Sequence, residues 1–107
     1  MLRPTRRQGI LNMVETFHYE AARVIEQLPD VFTSHQFLRL YIMGYTNSYL
    51  QGLAEYHDVT ILHQQIGRYL LNHADDADIN IRYVEDRTSI TIFGREDNIA
   101  VWIKKNI

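Results

Sequence analysis

Cysteine is absent from this chain of 107 residues, and with it go disulfides, thiolate metal sites, redox pairs and cysteine nucleophiles. The core must hold by packing. No apolar run approaches the roughly 18 residues that a membrane span needs, and the opening MLRPTRRQG is polar and basic, with no hydrophobic stretch of signal-peptide length behind it. The expected location is cytoplasmic. No glycine-rich phosphate loop occurs, Ser34, Ser48 and Ser89 lack the context of a nucleophile elbow, and no pair of carboxylates stands out on an apolar background. No catalytic site and no enzyme activity are expected. His18, His35, His57, His63 and His73 include no pair at the three- or four-residue spacing that puts two ligands on one helix face, so neither a metal site nor a cofactor is expected. The run from Asp76 to Asn80 starts like a calcium loop, but Ile81 stands at the sixth position, where a glycine is needed, and Arg87 at the twelfth, where a glutamate is needed. It reads as a solvated helix end.

What is present fits one globular domain. The chain is 46% hydrophobic and 22% charged, which sets it apart from disordered sequences, and its length allows one hydrophobic core rather than two. The charge is uneven. Of 11 basic side chains, Arg3, Arg6 and Arg7 fall in the first eight residues, leaving eight to face 13 acidic ones, a net of −5. Residues 1–8 lack periodicity and contain Pro4, and they read as a flexible basic arm ahead of a single domain over 9–107.

Ile10, Val14, Phe17, Ala21, Val24, Ile25 and Leu28 recur at steps of three and four, which predicts a helix ending before Pro29. Thr33-Ser34-His35-Gln36 has the form of a capping box, and Phe32 and Phe37 flank it at the spacing of a hydrophobic staple. A second helix therefore starts near Ser34 and weakens at Gly44. Tyr49, Leu53 and Tyr56 predict a further helix, or a continuation of the second, over about 47–56, which Gly52 weakens. Asp58 is suited to cap a helix over 59–72. Beyond Asp78 the period changes from 3.6 to 2. Ile79, Ile81 and Tyr83, then Ile90 and Ile92, predict two strands joined by a turn at Glu85-Asp86-Arg87-Thr88, and Ile99, Val101 and Ile103 predict a short C-terminal strand. The fold class is α+β, with three to four helices followed by a β-hairpin.

This order resembles a winged helix-turn-helix domain. The residues that carry the resemblance are Asp30-Val31-Phe32-Thr33 as the first strand, the helix from Ser34, the helix containing residues 61–70, and residues 79–93 as the hairpin or wing. It covers about residues 9–93 and departs from the family in the long connection between Gly44 and Asp58, where a tight turn is usual. The resemblance implies that the helix over 59–72 reads double-stranded DNA in the major groove and that the wing touches the backbone or minor groove. The face opposite the apolar stripe of Leu62, Ile66, Tyr69 and Leu70 is Thr60, His63, Gln64, Gly67, Arg68 and Leu71, and the first five of these are the candidate DNA contacts. Gln64 has the amide that suits adenine, and Arg68 the fork that suits guanine or phosphate. The same residues serve equally to keep a helix face solvated. Gly67 implies either close approach of a partner or tight packing against the first helix. Arg87 in the wing, with Arg3, Arg6 and Arg7 in the arm, is the expected source of phosphate contacts.

Seven tyrosines are present, with Tyr41, Tyr45, Tyr49 and Tyr56 grouped around the Gly44 to Asp58 connection. They suit a buried aromatic cluster or, through Tyr45, Tyr49 and Tyr56, an interface with another protein or a second copy. Two functions follow as expectations. One is a small DNA-binding regulator acting as a dimer; the other is a protein-interaction or dimerisation module that does not bind DNA.

Overall fold

The computed structural model describes residues 6–90, 94 and 96–105. It is an α+β structure of four helices and a three-stranded antiparallel sheet: α1 (Arg6–Gln27), β1 (Val31–Thr33), α2 (Ser34–Gly44), α3 (Thr46–Tyr56), α4 (Val59–Asn72), β2 (Ile81–Ile90) and β3 (Glu96–Lys104). Among the described residues no helix is long and apolar enough to cross a membrane.

Helix α1 buries Ala21, Val24 and Ile25, with Leu28 buried just beyond it, and it stops where Pro29 denies its predecessor the helical conformation. The residue that follows it is held from β3, since Lys104 Nζ donates to the Leu28 carbonyl at 2.6 Å. The helix begins at Arg6, earlier than expected, so Arg6 and Arg7 belong to its first turn rather than to an arm. Arg3 lies outside the described residues.

The capping box forms as its residue types require. The Thr33 hydroxyl accepts from Gln36 N at 3.2 Å, and the Gln36 amide oxygen accepts from Thr33 N at 2.8 Å. Phe32 and Phe37 are both buried in the core. The chain leaves helical geometry at Tyr45 and re-enters it at once, so the connection after Gly44 is itself mostly helix α3. Gly52 has a packing role there. A Cβ built on it would lie 2.9 Å from Leu62 Cδ1, which means its bare backbone is what lets α3 settle on α4.

Helix α4 starts at Asp58, whose carboxylate accepts from Ile61 N at 3.0 Å, and buries Leu62, Ile66 and Leu70. A turn through Asn80, in the left-handed region at φ 51°, leads into β2. The sheet has the order β1-β3-β2, with Phe32 opposite Trp102 and Trp102 opposite Tyr83. Trp102 is the large buried side chain at the centre of the sheet, and its indole N–H donates to the Ser34 hydroxyl at 3.2 Å.

The strand boundaries differ from those expected. Glu85-Asp86-Arg87-Thr88 is not a turn but the middle of β2, paired with β3 from Val101 to Asn98, with a register shift between Tyr83 and Glu85. A tight hairpin turn needs positive φ, and none of these four residues has it; among the described residues Gly94, at φ 78°, does. The strand expected as a short C-terminal addition is therefore the return arm of the hairpin and the central strand of the sheet.

Candidate nucleic-acid interface

Helix α4 is anchored on one side by Leu62, Ile66 and Leu70, which leaves its other side to Thr60, His63, Gln64, Gly67 and Arg68. Steps of three and four residues put these five on one face. Thr60, Gln64 and Arg68 are exposed, and His63 and Gly67 half-buried.

Four of the five border a cleft of about 270 Å³ between α4, the start of α2 and β3. Thr60, His63, Gln64 and Gly67 form one wall, Ser34 and His35 a second, and Asn98 to Ala100 a third. Among the described residues no Asp, Glu, Lys or Arg lines it. A Cβ at Gly67 would meet nothing within 4 Å. The glycine thus faces open space, and packing against α1 does not require it.

His63 is fixed from behind. Its Nε2 shares a hydrogen bond of 2.8 Å with the Tyr49 hydroxyl, which ties the face of α4 to the buried side of α3. Burial, and next the neighbouring His35, hold the His63 pKa below its ordinary 6.5. The ring is therefore neutral at pH 7, and it contributes hydrogen-bonding capacity rather than charge. Burial raises the Tyr49 pKa in turn, so the phenol keeps its proton.

No protein-family model, curated protein or solved structure matches the chain. What the interface can do rests on its own chemistry.

The remaining expected residues are dispersed. Arg68 is exposed and lies outside the cleft. Arg87 is on β2, with its side chain 60% exposed and paired with Glu85 at 3.2 Å. A pair that exposed holds its arginine weakly. Arg6 and Arg7 sit at the start of α1. The expected interface tyrosines separate. Tyr49 is buried in the core, Tyr45 is half-buried with its ring 6.0 Å from that of Tyr41, and Tyr56 is exposed at the end of α3. Ser34, His35 and Asn98 were not expected in the site. They reach it through the packing of α2 and β3 on α4, and no spacing along the chain signals that.

Proposed function

We propose that the chain is a winged-helix DNA-binding protein that reads a duplex with α4 and braces itself with the β2–β3 hairpin. The observation that carries this reading is the acid-free polar face of α4, standing beside an open cleft in a protein whose sheet runs β1-β3-β2 with β1 placed between the first two helices. A helix about 10–12 Å across fits a major groove about 12 Å wide. In that groove Gln64 offers an amide for an adenine edge, Arg68 a fork for guanine or phosphate, and Thr60 a hydroxyl for either. Gly67 lets the backbone come near. Arg87, its side chain loosely held by Glu85, reaches the flanking phosphates, and Arg3, Arg6 and Arg7 add charge from the start of the chain. The location that goes with this reading is the cytoplasm.

The net charge of −2 implies modest non-specific affinity, because that affinity comes mainly from neutralised phosphates. Selection from a random duplex pool at low salt, followed by anisotropy titrations, tests the reading. An enriched sequence whose binding weakens in Gln64→Ala and Arg68→Ala supports it; no enrichment by the folded chain contradicts it.

A second reading has its own observation. Met43, Leu50, Tyr56 and Ile61 are large apolar side chains exposed along α2, α3 and the start of α4, with Met43 at 71%. Exposed apolar surface of this kind is suited to a protein partner or a second copy. Light scattering that reports a stable oligomer, indifferent to DNA, favours it.

A further inference from the structure

We propose that His18, His73 and Asp76 form a binding site for a divalent transition-metal ion of the zinc class, with Asp78 holding the His18 ring from outside. The three residues come from different places in the sequence: His18 from α1, His73 from the C-terminal cap of α4, and Asp76 from the turn that follows. Each offers one donor atom, and the three atoms lie within 4.8 Å of one another. Zinc bonds of about 2.0–2.1 Å place adjacent donors roughly 3.3 Å apart in a tetrahedral site. Small rotations of partly exposed side chains close that difference.

The surroundings hold the donors in place. The Asp76 carbonyl accepts from both Ile79 N, at 3.0 Å, and Asn80 N, at 2.7 Å, and Asp76 N donates to the His73 carbonyl, so the turn that carries the carboxylate is pinned by its own backbone. His73 stacks on Tyr69 with ring centroids 4.1 Å apart, and the two histidine rings meet edge to face at 5.7 Å. The Asp78 carboxylate lies 2.8 and 2.9 Å from His18 Nε2. With Nε2 so engaged, an ion would take Nδ1 and displace the contact of that nitrogen with the Tyr69 hydroxyl. A carboxylate on the far nitrogen of a ligating histidine fixes both its tautomer and its orientation.

The chemistry of the set selects the ion. Two imidazoles and one carboxylate suit zinc, nickel or cobalt, whereas calcium and magnesium require mostly oxygen. Lys105 pairs with Asp75, at 2.6 Å, and leaves the negative charge of Asp76 and Asp78 to the histidines. Three protein ligands leave a fourth position for water. A bound ion would join α1 to the C-terminal end of α4.

Isothermal titration of the untagged full chain with Zn²⁺, with circular dichroism to verify folding, tests the site. Wild type should bind one ion and melt at higher temperature when loaded. His18→Gln and His73→Gln should each weaken binding at least tenfold, and Asp78→Asn about 10-fold or more. His57→Asn, which keeps a residue tolerant of the left-handed region at φ 61°, should bind as wild type does. If a histidine variant does not fold, Asp76→Asn and Asp78→Asn decide. Absence of one-to-one binding by the folded wild type, or full binding by Asp76→Asn and Asp78→Asn, overturns the site.

Discussion

The Tyr49 hydroxyl and His63 Nε2 stand 2.8 Å apart, so a buried residue of α3 fixes a residue on the candidate DNA-reading face of α4. The long connection before α4 thereby supports that face.

A pH dependence follows from this pair. His63 has a lowered pKa in the fold, chiefly through burial, so between that value and 6.5 the unfolded chain binds more protons than the folded one. The stability that depends on neutral His63 is complete above pH 6.5 and is lost as pH falls through the lowered value. Asp75 and Asp78 are also lowered, by Lys105 and by His18 respectively, but from 3.8, so they titrate in more acid solution. Urea midpoints measured from about pH 8 to about pH 5 should fall further for wild type than for His63→Gln. Equal falls would exclude His63 as the source.

Gly52 and Gly67 should respond oppositely to alanine. Both are helical, and alanine favours a helix by about 1 kcal/mol over glycine. At Gly67 a Cβ meets nothing within 4 Å, so Gly67→Ala should stabilise the fold by about 0.5–1 kcal/mol. At Gly52 it meets the buried Leu62 at 2.9 Å, and overpacking of about 1–3 kcal/mol outweighs the gain. Urea denaturation of both variants should show opposite signs. If both stabilise, the packing role of Gly52 is wrong.

Glu20 should matter more than its position on α1 suggests. It is buried, accepting from the Tyr41 hydroxyl at 3.2 Å and from the Ser48 hydroxyl at 2.6 Å, and so it joins α1, α2 and α3. Burial and the neighbouring Glu20 push the Tyr41 pKa well above the phenol range, which keeps that hydroxyl a donor. Glu20→Ala removes the carboxylate that accepts from both hydroxyls and should cost about 1–3 kcal/mol. Chemical denaturation that finds no loss would contradict the link.

Local chemistry made much of this fold legible in the sequence. The Thr33 box, the Asp58 cap and the stop before Pro29 depend on residues within a few positions of one another, and they form as their types require. The hairpin turn was misplaced because Glu85-Asp86-Arg87-Thr88 interrupts the apolar alternation, although β2 continues through these residues as an exposed strand. On the candidate face the helical spacing of Thr60, His63, Gln64 and Gly67 was readable. The contributions of His35 and Asn98 were not, because tertiary packing alone brings them to the cleft. Tyr49 gave no sign of its burial, since a tyrosine serves a core and an interface equally well.

The central claim is that the acid-free face of α4 reads DNA, and Gly67→Ala tests it most directly. The variant adds one methyl group to the open cleft wall and is expected to be at least as stable as wild type. Anisotropy titrations against the selected duplex at two salt concentrations should give affinity that falls as salt rises, with weaker binding by Gly67→Ala than by wild type. Equal binding by the two proteins, or no binding by folded wild type at low salt, would contradict the account.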